Sequence, residues 1–418
     1  MFFKRKGIAR PPAARLGQRF ALLWERPVVS LVLALTIYTL FGVGHSSTLE
    51  ASAVPYYNYL ADAFLHGQLH LRLIPKSTLD LSYFNGHFYL YWAPLPAVLL
   101  MPFVALFGVG FSDVAFTLLV AAANVFLVAI LLRKLCVVRI ARVSRVKRGI
   151  LVLFFSLGTV HLTLAPFGRV WSTGQLVGFL CVILAYLASI SVHSRWAFAF
   201  TGLAIAGAVL TRSHLIFAAL WPCIYLWKQY SSAGVRKKVG LFLLTLLPIL
   251  AAIALLGIYN WLRFGNILDN GIPHHAMHAA FSKSYQQYGA FNIHYVPINL
   301  FYQYIAYPLP IRPSSYYGGS LFLLSPVFVA AFWSPGGKSA WIRWGLLASI
   351  VLVGIPIALL MGTGWVQFGP RYTLDFTVPL LMLTAIGSRK WSTSTLSFFT
   401  LVSIVQYFVG TLSLMVSL

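Results

Sequence analysis

Eleven apolar stretches, each near the length that crosses a bilayer, are strung along 418 residues at about 28–44, 113–132, 150–165, 174–192, 197–211, 213–227, 240–260, 319–333, 344–362, 373–388 and 395–416. A helix needs about 20 apolar residues to cross the hydrocarbon, somewhat fewer where the bilayer thins. In lipid every backbone amide must be paired within the segment, which helices achieve alone. An all-α polytopic membrane protein is therefore expected, with about eleven transmembrane helices in a single membrane domain, 1–418. Composition agrees, because 59% of residues are apolar and only 9% charged, against about 25% charged in soluble domains.

The net charge of +24, from 31 Lys+Arg and 7 Asp+Glu, could point to nucleic acid. A nucleic-acid binder gathers its basic residues on one wet face; here they punctuate apolar runs, so membrane lipids and not nucleic acid are the expected partner. Cys136, Cys181 and Cys223 lie in or beside apolar stretches without paired spacing, which predicts neither a disulfide framework nor a zinc site. The basic start (Lys4, Arg5, Lys6, Arg10, Arg15, Arg19, Arg26) precedes an apolar run with no well-placed small-residue cleavage site. A retained first span follows, not a cleaved signal peptide.

Positive loops stay cytoplasmic. The arm 1–27 and the cluster Arg133, Lys134, Arg139, Arg142, Arg145, Lys147, Arg148 are then on one side, which demands an odd number of crossings between residues 45 and 133. The span 113–132 supplies it, so the proline-bearing segment 93–108 (Pro94, Pro96, Pro102) is expected to lie along the outer surface without crossing. With that assignment the N-terminus is cytoplasmic, 45–112 and 261–318 are large outer segments, and every acidic residue except Glu25 is outside or at the outer boundary. A multi-pass protein of the cell membrane is predicted, its chemistry extracytoplasmic and its setting a bacterial inner membrane.

Both outer segments carry structural signals. After Pro55, apolar side chains recur at Tyr56, Tyr59, Leu60, Ala63 and Phe64 with Gly67 to end a helix, the spacing of an interfacial helix. In SYFNGHFYLYW, Asn85-Gly86 between aromatic-rich arms predicts a hairpin, and the aromatic residues from Tyr56 to Trp92 suit the headgroup layer. No fixed-period repeat is present.

Glu50 follows the first span closely, where a carboxylate at the mouth of the bundle could serve as general base toward an acceptor hydroxyl. Asp62, on the expected helix, competes for that role. Asp80 opens the hairpin and fits a cap or turn residue; it is also a candidate substrate-binding residue. Arg212 interrupts two apolar runs, at a cost of about 2.5–3.5 kcal/mol on insertion scales, so it should have a partner. Arg169, Arg263 and Arg371 also sit at outer span ends, where guanidinium groups can hold a lipid phosphate bidentately or simply snorkel. Arg371 has a further option, a helical pair with Asp375. His274, His275 and His278 have only Asp269 as a nearby acidic residue and do not form a metal signature.

In order along the chain, YYNYLADAFLHGQLHL, DLSYFNGHFYLYWAPLPAVLLMPF, LTRSH, NWLRFGN and QFGPRYTLDF resemble the GT-C superfamily of integral-membrane glycosyltransferases, which includes protein O-mannosyltransferases and lipid A aminoarabinose transferases. The resemblance implies transfer of a hexosyl or pentosyl unit from a polyprenyl-phosphate carrier to a glycan, lipid or protein acceptor, with inversion. It implies a carboxylate base in the first loop and Arg212 with other outer arginines on the departing phosphate. The lipid-linked sugar is the donor substrate; no cofactor is implied, and a divalent cation is not indicated. The adjacent acidic pair that many relatives carry falls on Ser52 and Ala53 when laid on this chain without gaps through Gly67, which leaves Glu50 and Asp62 both open. Two other classes compete: a polysaccharide polymerase or ligase, and a secondary transporter or lipid flippase. Transporters tend toward repeats and broken helices with midplane charges, whereas the charges here sit at span ends.

Overall fold

The computed structural model describes residues 12–46, 49–334, 340–362, 364 and 366–417. Lys4, Arg5, Lys6 and Arg10 of the basic arm, and Lys338, lie outside the described residues. The chain forms α1 (Pro12–Trp24), α2 (Pro27–Ser46), α3 (Tyr56–Leu65), the strands β1 (Ser82–Phe84) and β2 (His87–Tyr89), then α4 (Leu95–Phe107), α5 (Asp113–Val137), α6 (Arg145–Leu157), α7 (Val160–Leu164), α8 (Val170–Ser191) and α9 (Arg195–Val209). There follow α10 (Leu220–Gln229), α11 (Val235–Phe264), α12 (Ala279–Tyr288), α13 (Val296–Leu300), β3 (Tyr317–Gly318), α14 (Leu321–Leu324), α15 (Ala340–Leu359), β4 (Gln367–Phe368), α16 (Thr377–Gly387) and α17 (Thr393–Ser417). The protein is an all-α polytopic membrane protein. Among the described residues seven helical stretches are long and apolar enough to cross: Pro27–Gly44, Asp113–Val137, Arg145–Leu164, Val170–Ser191, Val235–Phe264, Ala340–Leu359 and Thr393–Ser417.

The other four expected spans are shorter or broken. α9 has 15 residues, about 22 Å of helix. The 213–227 stretch divides into a 3-10 turn, Ser213–Ala219, and α10. The 319–333 stretch divides into α14 and the 3-10 segment Pro326–Trp333, and 373–388 into the 3-10 segment Arg371–Phe376 and α16. Proline accounts for one of these breaks directly: Pro326, at the start of its segment, lacks the N–H that would continue the ladder.

α2 packs on α5, α5 on α8, α8 on α9 and α9 on α11, while α17 packs on α6. One end of this bundle is locked by a single carboxylate. Glu25, between α1 and α2, is buried and accepts a bidentate pair from Arg133 (3.0 and 3.0 Å) and a bond from Arg148 (2.7 Å), with Arg145 at 3.5 Å. The start of α2, the end of α5 and the start of α6 therefore meet at one end, so α2 and α5 run in opposite directions between there and the far end. α4, between them in sequence, is 13 residues long.

In the 45–112 segment, α3 forms as the spacing predicts and ends at Gly67, whose φ of 68° a side chain would resist. The single apolar face expected for it is not what packing produces: Tyr57, Asn58, Ala61 and Asp62 are buried along with Tyr56, Leu60 and Ala63, because α3 is enclosed. Its Asn58 amide donates to the Val109 and Phe111 carbonyls (3.0 and 2.7 Å) beyond α4. The hairpin forms with Tyr83 opposite Phe88, and Asn85 and Gly86 both take positive φ (47° and 82°), the requirement of a two-residue type I′ turn. Cys136, Cys181 and Cys223 are separate thiols.

Candidate functional site

The N-terminal half of α8 is the wall on which the site is built. Gly174 lets the Tyr57 hydroxyl of α3 approach within a distance that a side chain would block, and Gly178 does the same beside Arg212 and Leu215. Between them Gln175 donates from Nε2 to the Arg371 carbonyl (3.0 Å). α3, the break after α9 and the 371–376 turn thus converge on one strip of helix.

At the break, Arg212 finds the partner that its place among apolar runs demands. Its Nη2 lies 3.1 Å from Asp375 Oδ2, and His214 Nε2 shares that oxygen at 2.9 Å. The Asp375 side chain is fully buried and that of Arg212 is 14% exposed. This corrects the expected Arg371–Asp375 pair: residues 371–376 form a 3-10 turn, in which positions three apart eclipse and position four points away. The partnership of Asp375 with LTRSH joins segments more than 160 residues apart, and only the proximity of His214 to Arg212 in sequence signals it. Around the pair, Tyr57 Oη, Gln175 Oε1, Arg212 Nε and Arg371 Nε are buried with no hydrogen-bond partner among the described residues. A cluster of donors and acceptors left open in this way suits a hydroxylated or phosphorylated ligand or ordered water.

Arg371, released from Asp375, keeps a bond to the Tyr372 hydroxyl (3.1 Å). It shares a narrow pocket with Arg169, Thr163, Trp171, Gln367 and Phe368. Arg169 is the N-cap of α8, where the helix dipole favours an anion. Burial lowers its guanidinium below the ordinary value. Among the described residues neither arginine forms an ion pair with a carboxylate. The pocket is about 20 Å³, room for one water-sized group, so a phosphate would place one oxygen inside and the rest at the mouth. Val366 separates it from an open cavity of about 460 Å³ lined also by Ile311, Arg312, Pro313, Tyr316 and Tyr317. Val366 takes a φ of 50°, a conformation costly for a β-branched residue.

The expected carboxylates divide. Asp62 is buried and held bidentately by Arg72 (3.0 and 3.0 Å), which occupies both its oxygens. Glu50 is exposed, and its loop is pinned to the N-terminus of α5: Ser112 Oγ donates to the Glu50 carbonyl (3.2 Å), and Ser52 donates from N and Oγ to Asp113 (2.7 and 2.6 Å). The backbone of Gly168, next to Arg169, packs directly on that of Asp113 and Val114, so Glu50 and the arginine pocket lie at the same end of α5 and α8. Asp113 and Ser52, which hold this arrangement together, carried no such signal in the sequence.

Two further candidates are spent on packing. Arg263 is buried, donates to the carbonyls of Leu90 (2.8 Å) and Tyr259 (3.2 Å) and to Asn260 Oδ1 (2.8 Å), and stacks over Tyr259, clamping α11 to the end of the hairpin. Asp80 accepts from His275 Nε2 (3.2 Å), and its backbone N–H bonds to Ala276, joining the two large loop segments. It stands at the edge of the site: burial pushes the Tyr91 phenol well above its usual range, Asp80 adds to that and Arg371 opposes it. His274 pairs with Asp269 at 2.9 Å, and among the described residues no three of His, Cys, Asp or Glu gather as metal ligands.

Compared with known proteins, the sequence matches no protein-family model and no curated protein.

Proposed function

We propose that the protein is a GT-C-type glycosyltransferase that moves a sugar from a polyprenyl-phosphate carrier to an acceptor hydroxyl on the extracytoplasmic side of a cell membrane. The observation that carries this proposal is the convergence of Arg169 and Arg371, both without an acidic partner among the described residues, on one pocket at the N-terminus of α8. Half-buried cations without a counter-charge favour an anionic ligand, and a lipid phosphate reaches them from the membrane edge. The positive-inside rule assigns the Glu25 end to the cytoplasm and the arginine pocket to the outside. α9, 213–229, 321–333 and 371–387 complete eleven crossings as short or paired segments.

In the reaction, Glu50 takes the proton of the acceptor hydroxyl as its oxygen attacks the anomeric carbon. The bond from that carbon to the carrier phosphate oxygen breaks, and its electron pair stays on the phosphate. The charge that grows there meets Arg169 and Arg371, with Arg212 held behind by Asp375; such preorganised stabilisation is a large term in a poorly hydrated site. One displacement inverts the anomeric centre. Asp62, neutralised by Arg72, is a structural residue in this scheme, and the open cavity beyond Val366 receives the first few isoprene units of the carrier.

Purified protein is given a panel of polyprenyl-phosphate sugars, and both donor binding and transfer are measured. Glu50→Gln should lose about 100-fold to 10,000-fold in turnover with donor binding intact, and Asp62→Asn should retain transfer. Full activity in both variants would remove a first-loop carboxylate from the mechanism. The breaks at Arg212 and Asp375 favour a second reading, since transporters place ionisable groups at interrupted helices; lipid flipping in reconstituted vesicles without transfer would establish it.

A further inference from the structure

We infer that α1 is an in-plane anchor that binds anionic phospholipid at the leaflet on the Glu25 end of the bundle. One side of α1 is committed to the protein: Ala21 and Trp24 are buried, and the Ala21 backbone packs so closely on Gly149 of α6 that no side chain could fit there. The Glu25 network fixes the end of the helix on α5 and α6. What remains outward is not polar. Leu16, Phe20 and Leu23 are 71%, 49% and 42% exposed, and at 3.6 residues per turn they fall within about 60° of one another.

Arg19 is also exposed and falls beside this stripe on the flank away from Ala21 and Trp24, while Arg26, exposed in the bend between α1 and α2, adds a second charge at the end of the helix. An apolar stripe with arginine at its edge and end suits a helix lying at the headgroup boundary, its guanidinium groups reaching phosphate while the stems stay in the acyl layer. Two further observations fix the occupant. α2, a span, begins three residues after α1 ends, so α1 leaves the bundle at the membrane surface. Arg139, Arg142 and Arg145, all exposed, lie on the α5–α6 connection that Glu25 binds, and this concentration of positive charge matches an anionic lipid surface better than a basic or apolar protein partner.

The test uses the full-length protein in nanodiscs, with spin labels placed singly at positions 16, 20 and 23 and, as a control, at 18. In discs containing phosphatidylglycerol, labels at 16, 20 and 23 should be relaxed by oxygen and shielded from a water-soluble nickel chelate, while the label at 18 is reached by the chelate. Arg19→Gln with Arg26→Gln, which leaves the packed face untouched, should weaken phosphatidylglycerol binding by about five-fold per charge at low salt. Equal chelate access at all four positions would overturn the inference. Shielding that is the same in purely zwitterionic discs, with no effect of the arginine changes, would overturn its anionic-lipid part.

Discussion

Removing the Arg212 side chain should destabilise the protein far more than its position at a span end would suggest. In Arg212→Ala the fully buried Asp375 carboxylate keeps His214 Nε2 at 2.9 Å on Oδ2 and the neutral Gln175 side chain, but no arginine. Breaking a buried ion pair from one side costs about 3–5 kcal/mol; with His214 still in place, the lower end, about 3 kcal/mol, is expected. Asp375→Asn should cost less, about 1–3 kcal/mol, because the Arg212 side chain retains 14% exposure and lies over the Tyr372 ring. The double variant leaves no uncompensated charge, so its loss should fall short of the sum of the two singles by about 1–2 kcal/mol. Reversible unfolding in mixed micelles measures all three. Strict additivity would show that the two charges do not act as a unit, and a stable Arg212→Ala would refute the burial of the pair.

Glu25 gives a pH-dependent prediction. Burial alone would raise its carboxyl, but the hydrogen bonds and charges of Arg133 and Arg148 outweigh it and lower the pKa from 4.5 to about 2. Its contribution to stability is therefore complete above pH 4.5 and is lost as the pH falls from there toward 2; Glu25→Gln should be less stable at neutral pH with a flatter acid limb in an unfolding titration, and parallel limbs would contradict this. The ion network also predicts that α4 does not cross. In a cysteine-free background, Tyr83→Cys and Gly110→Cys, both at exposed positions, should react with an impermeant maleimide from the same side. Labelling from opposite sides would remove the proposed topology.

The membrane class, the first and longest spans, α3 and the hairpin were legible in the sequence because each rests on a local rule. Apolar run length measures the bilayer, Asn85-Gly86 sets the handedness of a two-residue turn, and Pro55 with Gly67 brackets a helix. Packing decided what local pattern could not. Hydropathy does not distinguish α from 3-10 geometry, so the apolar runs at 213–227 and 373–388 did not show where they would break, and in 319–333 Pro326 alone marked the interruption. The spacing of Arg371 and Asp375 suited an α-helical pair, but a 3-10 turn put them on different faces and left Asp375 to Arg212 and His214. Arg263 and Arg169 are both arginines at span ends in the sequence, yet one has carbonyls to satisfy it and the other has none among the described residues. A charge at a span end is specified by sequence; whether it holds the fold or remains open to a ligand depends on partners brought from elsewhere in the chain, and only the tertiary arrangement supplies them.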